Sequence, residues 1–230
     1  MTPLRIVAAG DAALVAEFDD RIDVEVNTYA VALAEHVRAQ AVRGVRDVVP
    51  TFRAVAVYFD PLHTDVDALA AALRSAAPTR EHARSTSVIE VPVCYEPDYG
   101  PDLEDVARRA GLDTDTVVSI HTDHAYRVFM LGFMPGFAYL GTVDARIATP
   151  RHATPRLQVP SGSVGIAGQQ TGIYPAQTPG GWNIIGRTPF RTWRPAAEPP
   201  ALLRAGDSVR FRRIDRATFE KVAVTQDAAA

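Results

Sequence analysis

A chain of 230 residues with an apolar fraction of 47% exceeds one average domain and can bury a sizeable core, so one large or two small domains are expected. Its 24 basic and 27 acidic residues nearly cancel, which argues against a nucleic-acid binder with a basic face. Lys221 is the only lysine and Cys94 the only cysteine, which excludes a phosphate-loop or Schiff-base lysine in the central stretch, an internal disulfide and a multi-cysteine zinc site.

Leu4 to Ala9 and Ala12 to Phe18 are short apolar runs around Gly10-Asp11 and predict a hairpin. No basic segment followed by an apolar run precedes them, so a cytoplasmic protein is expected. From Ile22 to Val42 the spacing of Val26, Tyr29, Leu33 and Val37 is helical, with Asp23 as N-cap and Gly44 as the stop. Strands follow at Val45 to Val49 and Phe52 to Phe59, the latter placing Val55, Val57 and Phe59 on one face. A second helix from Asp65 to Ala76 is opened by Thr64 and carries Val66, Leu69, Ala70 and Leu73 on one side. The pattern ββαββα makes a compact α+β domain over residues 1–84. Polar, aperiodic Pro78 to Ser87, with a solvated His82, marks the boundary to a second domain over residues 85–230.

That second domain begins with a strand at Val88 to Cys94, whose thiol reads as buried and structural. A helix bearing Leu103, Val106, Ala107 and Ala110 ends at Gly111, and Asp113 caps a shorter one running to His121. Tyr126 to Leu131 is a strand, and Leu202 to Ala205, Gly206-Asp207 and Ser208 to Phe211 predict a closing hairpin. Between them, Met130 to Arg191 holds ten of the fifteen glycines and seven of the seventeen prolines, which forbids a long helix and demands short strands joined by shaped turns.

Charge is uneven there: Asp144 is the only acid, against Arg146, Arg151, Arg156, Arg187 and Arg191. No charged residue lies between Arg156 and Arg187, yet Gln158, Gln169, Gln170, Gln177 and Asn183 keep the run polar. Such a lining suits a small anionic ligand, with Arg151, Arg156 or Arg187 as its clamp; solvated rim arginines are the alternative. Phe133, Phe137 and Tyr139 flank the Pro135-Gly136 turn and, with Trp182, form either core or the wall of a pocket or partner surface. Gly162, Gly165 and Gly168 recur every third residue, either for tight packing or for close approach to a ligand. His121 and His124 have a spacing that can hold a metal, but no acid or cysteine completes a ligand set, and no metal is expected. His121 at the entry to the stretch is a candidate general acid or base, or else a structural histidine, and His152 is secondary. Ser161 and Ser163 lack a nucleophile motif.

The words Gly132-Phe-Met-Pro-Gly-Phe-Ala-Tyr-Leu-Gly141, Pro150-Arg, Pro155-Arg, Val159-Pro-Ser-Gly-Ser-Val-Gly-Ile-Ala-Gly168, Gln170-Thr-Gly-Ile-Tyr-Pro175, Pro179-Gly-Gly-Trp182 and Gly186-Arg-Thr-Pro189 resemble the allophanate hydrolase subunit 1 family. That family includes the B subunit of bacterial 5-oxoprolinase and the sporulation kinase inhibitor KipI. The resemblance implies an α+β N-terminal domain followed by a mainly β, cyclophilin-like barrel. It also implies ATP-dependent opening of 5-oxo-L-proline to L-glutamate, ATP with Mg as its counter-ion, and two partners: a C subunit of the allophanate hydrolase subunit 2 family and an A subunit of the LamB/YcsF family. On that reading His121 moves a proton, Arg151, Arg156 or Arg187 holds anions, and Gln169, Gln170 and Tyr174 orient the ring. The alternatives are inhibition of a histidine kinase through the Gly132 to Gly141 surface, and action on another small urea-like amide.

Overall fold

The computed structural model describes residues 5–76 and 88–228, so the expected linker Pro78 to Ser87, with His82, lies outside the described residues. Two compact units divide between Ser85 and Thr86.

In the first unit β1 (Arg5–Ala8) and β2 (Ala13–Glu17) pair antiparallel from Arg5↔Glu17 to Ala8↔Leu14, forming the expected hairpin. The carboxylate of Asp23 accepts from the amides of Glu25 and Val26 and starts α1 (Val24–Ala39). This helix stops before Gly44: Gln40 caps it, and Gly44 instead leads into β3 (Val45–Pro50), its carbonyl accepting from the Asp60 amide at 2.8 Å. After β4 (Ala54–Phe59) comes α2 (Val66–Ser75), capped by Asp65 and not by Thr64. The Asp65 carboxylate accepts from the Ala68 amide at 3.0 Å, while the buried Thr64 hydroxyl donates to the Arg43 carbonyl at 3.1 Å. Val66, expected to pack, is 37% exposed at the helix start. The sheet order is β1-β2-β4-β3. Strand alternation puts Leu14, Ala16, Val55, Val57 and Phe59 against Leu33, Val37, Leu69 and Leu73 of the helices.

The second unit runs β5 (Val88–Cys94), α3 (Leu103–Ala110), α4 (Thr114–Thr122), β6 (Tyr126–Leu131), β7 (Ala138–Gly141), β8 (Arg156–Val159), β9 (Ser163–Ala167), β10 (Gln170–Ile173), β11 (Thr178–Gly180), β12 (Asn183–Arg187), β13 (Ser208–Ile214) and α5 (Arg216–Ala228). Seven strands close a barrel in the order β10-β7-β6-β13-β5-β12-β9, and β8 and β11 form a separate two-stranded sheet. The fold class is therefore the expected one, an α+β region followed by a mainly β barrel. The closing hairpin is not found. Ala201 makes only an isolated bridge to Trp193, and β13 runs parallel to β5 and antiparallel to β6. Helix α5 is a further departure from expectation; Asp215 opens it by accepting from the Thr218 amide at 2.9 Å.

Alternation divides the barrel residues cleanly. Val91, Val93, Val128, Leu140, Val164, Ile166, Ile173, Ile185 and Phe211 share one core with Leu103, Val106, Val117 and Val118 of α3 and α4. Residues of opposite parity on β7, β9 and β12 build a second cluster on the outside of the barrel wall. Among the described residues no helix is long and apolar enough to cross a membrane.

Candidate functional site

The outer cluster is aromatic. Phe137 meets Trp182 edge to face at 5.5 Å, Tyr174 at 5.3 Å and Tyr139 at 4.8 Å, and Tyr139 meets Trp182 at 5.9 Å, the arrangement that ring quadrupoles prefer. The strands beneath leave room for these rings. A Cβ on Gly172 would lie 3.1 Å from both Phe137 Cζ and Trp182 Cζ3, and one on Gly165 would lie 3.1 Å from the Trp182 Cβ. These two glycines thus accommodate indole and phenyl rings, the packing reading of the two considered for Gly165. Tyr174 is buried, which pushes its phenol pKa up. Phe133 completes the group at 5.5 Å from Phe137, yet it is 61% exposed and sits at φ +66, a left-handed conformation strained for a bulky side chain.

Beside the rings lies a charged group. Arg151 is exposed, with its guanidinium 6.0 Å over the Trp182 ring. The next residue, His152, places Nε2 3.4 Å from Asp102 Oδ2 and 3.0 Å from Arg156 Nη1. Arg156 Nη2 in turn donates to Asp102 Oδ1. Asp102 sits at the N-cap of α3 without capping it, because its carboxylate turns to β12 and accepts from the Ile184 amide at 2.6 Å. Two further bonds hold the arginine-bearing segment against the barrel: the His152 amide donates to the Gly181 carbonyl at 2.8 Å, and Asn183 Nδ2 donates to the Pro150 carbonyl at 2.9 Å. Sequence reasoning passes over Asp102. Its only signal is an acid at a helix start, which ordinarily means a cap, and its partners stand far along the chain.

The other candidate residues are scattered. His121 lies inside the barrel with no exposed surface, Nδ1 2.8 Å from the Tyr95 hydroxyl and Nε2 3.0 Å from Thr171 Oγ1. The Thr171 hydroxyl donates to the Gly165 carbonyl at 3.0 Å and so accepts from Nε2–H, which leaves Nδ1 to accept from Tyr95. Burial foremost, then the neighbouring His124, lowers the His121 pKa to about 3. A ring kept neutral and bonded at both nitrogens fits the structural alternative better than proton transfer at the surface. His124 faces the Thr142 carbonyl at 3.2 Å, so the two histidines do not converge. Arg187 donates through Nε to the Ser161 carbonyl at 2.7 Å, three residues along β12 from Ile184 or about 10 Å at strand rise, and so does not join Arg151 and Arg156. Gln169 is exposed in the β9–β10 turn, and Gln170 is half-buried opposite Gly141. The Arg156 charge is already answered by Asp102, whereas among the described residues Arg151 has no carboxylate partner.

Residues 4–203 match the family described as carboxyltransferase domain, subdomain C and D. The 5-oxoprolinase B subunit of Bacillus subtilis (strain 168) is 39% identical over 232 residues, covering 94% of this chain and 95% of that protein. The Escherichia coli O157:H7 protein of the same name is 54% identical over 123 residues, 54% of this chain and 56% of that protein. The crystal structure of TTHA0988 superposes with a TM-score of 0.82 at 37% identity over 88% of this chain, which spans only 40% of that longer one.

Proposed function

The chain belongs to the carboxyltransferase subdomain C and D family, and from that premise we propose that it is the B-type subunit of a 5-oxoprolinase complex that opens 5-oxo-L-proline to L-glutamate with ATP hydrolysis. The carrying observation is the 39% identity to a protein of that name across 94% of this chain. The outer barrel face supports the reading. The substrate pairs a small five-membered ring with a carboxylate, and the aromatic cluster edged by Arg151 offers a wall for the one and a cation for the other. Tyr174, buried with its ring 5.3 Å from that of Phe137, serves as wall.

A resonance-stabilised lactam is a poor electrophile, so phosphorylation of its oxygen by ATP creates the leaving group that hydrolysis needs. ATP, with Mg as its counter-ion, is assigned to the complex as a whole, because the sequence has no phosphate-loop motif. The proposed partners are a C subunit of the allophanate hydrolase subunit 2 family and an A subunit of the LamB/YcsF family. That this chain corresponds to 40% of the longer TTHA0988 chain supports a unit that works beside further protein.

The test is 5-oxoproline-dependent ATP hydrolysis and glutamate release, by the chain alone and mixed with candidate C and A subunits. Activity is expected only in the full mixture, and Arg151→Ala should raise KM about tenfold or more with assembly intact, as loss of a carboxylate's charged partner does. No turnover in any well-folded mixture would overturn the reading. The 61% exposure of Phe133 favours a second reading, docking onto a histidine kinase, which predicts that Phe133→Asn abolishes inhibition of autophosphorylation.

A further inference from the structure

We propose that His152, oriented by Asp102 and Arg156, is the group that exchanges protons with a ligand on the aromatic face. The proposal rests on the 5-oxoprolinase reading for the identity of that ligand.

The geometry around one ring nitrogen carries it. His152 Nε2 lies 3.4 Å from a carboxylate oxygen of Asp102 and 3.0 Å from Nη1 of Arg156. Without a proton on Nε2 the ring accepts from Arg156, and with one Nε2 stands at ion-pair distance from the Asp102 carboxylate. Either state leaves Nε2 paired, which is the requirement for an imidazole that gains and loses a proton during turnover. The side chain of His152 is 30% exposed and that of Asp102 only 4%, so the imidazole spans from a buried carboxylate to solvent. When the proton sits on Nε2 beside the Asp102 carboxylate, the lone pair of Nδ1 is free to act as a base.

Asp102 is a positioning residue here. The Ile184 amide, donating to its Oδ2 at 2.6 Å, fixes the carboxylate to β12, and the Gly181 carbonyl, accepting from the His152 amide at 2.8 Å, fixes the histidine backbone beside Trp182. Arg151, the cation assigned to the substrate carboxylate, is the adjacent residue. Anion binding and proton transfer thus come from one pinned segment.

The step runs on the lactam already activated by ATP as its O-phosphate. Water adds to C5, and Nδ1 takes one of its protons and passes it to the ring nitrogen. The second proton of that water follows as the C5–N bond breaks, so the nitrogen leaves as an amine and C5 keeps the water oxygen as the carbonyl of an acyl phosphate. His152 ends the step in its starting state.

The experiment has two arms. In the reconstituted complex, His152→Gln should lower kcat about 100-fold or more with KM nearly unchanged. Asp102→Asn should lower kcat less and displace the pH profile, and adding it to His152→Gln should cost little more. In the full chain without partners, nitrogen NMR of the labelled imidazoles should show the His152 proton moving from Nε2 towards Nδ1 in Asp102→Asn. Retention of wild-type kcat by His152→Gln in a working complex would overturn the proposal. If no wild-type mixture turns over, the 5-oxoprolinase reading falls, and identical His152 spectra in the chain and in Asp102→Asn would then overturn the pairing itself.

Discussion

Inside the barrel, His121 is bonded through Nδ1 to Tyr95 and through Nε2 to Thr171, two neutral hydroxyls. On the outer face, His152 sets Nε2 between a carboxylate and a guanidinium. The inner ring is fully buried, with one tautomer dictated by its neighbours, and the outer ring is partly open. A histidine whose partners are neutral and complete specifies a core, and one flanked by opposite charges at a partly open face is equipped for chemistry. The same residue type therefore meets opposite surroundings on the two sides of one barrel wall.

Acid separates the two most sharply. The His121 pKa is depressed to about 3 from 6.5, so between those values the unfolded chain binds a proton that the folded chain refuses. Stability is then fully present above pH 6.5 and falls as the pH drops towards 3, by on the order of 4 to 5 kcal/mol in all. Asp60 and Asp144, lowered to about 2 from 3.8 chiefly by side-chain bonds to Arg46 and Arg146, lose their contribution only below pH 4. Urea midpoints measured from pH 7 to 4 should fall steadily in the wild type and flatten in His121→Gln. A wild-type midpoint that holds level down to pH 4 would mean that His121 is not held neutral.

The outer site should respond to charge removal. Asp102→Ala strands the Arg156 guanidinium and leaves the buried Ile184 amide unpaired, at a cost of about 3 kcal/mol. The figure sits at the lower end for a broken ion pair because the Arg156 side chain is 35% exposed and solvent answers part of its charge. Asp102→Asn keeps an acceptor for the amide and should cost less than half as much. Equal losses for the two substitutions in chemical denaturation would show that the carboxylate charge contributes little.

The two histidines also show where the sequence is readable. Alternation predicts β4 and its buried Val55, Val57 and Phe59, and Asp23 and Asp113 cap the helices they are expected to cap. Of two adjacent candidates Asp is the stronger N-cap, in keeping with Asp65 providing the cap expected of Thr64. The Gly206-Asp207 turn suggests a local hairpin, but β13 takes β5 as a parallel partner over a hundred residues earlier, and parallel pairing leaves no local turn signal. The density of glycine and aromatics discloses that a shaped surface exists. It cannot disclose that Asp102 reaches Arg156 across 54 residues, nor which of two histidines faces inward, because neither contact has a period.

A smaller effect tests whether the two sides are separable. In Gly172→Ala the new Cβ would stand 2.9 Å from the Ala138 carbonyl oxygen and 3.1 Å from the Phe137 and Trp182 rings. Relief of that crowding should cost about 1 to 3 kcal/mol and shift the Trp182 emission and near-ultraviolet dichroism. The pH window set by His121 should persist unchanged. Its loss would tie the aromatic cluster to the interior network and remove the distinction.

The smallest change concerns Phe133, at φ +66 and 61% exposed. Left-handed backbone costs a non-glycine residue about 1 to 2 kcal/mol, and the edge contacts to Phe137 and Tyr174 return only part of that because the ring is mostly in water. Asparagine tolerates this conformation, so Phe133→Asn should leave thermal stability unchanged or raise it by up to about 1 kcal/mol. On the 5-oxoprolinase reading it should raise KM for 5-oxoproline in the reconstituted complex. Phe133→Leu keeps the strain and an apolar side chain, and should show the KM effect without the gain in stability. A stability loss above about 2 kcal/mol in Phe133→Asn would instead make the ring a packing anchor, for then its contacts outweigh the backbone strain that holds it in the open.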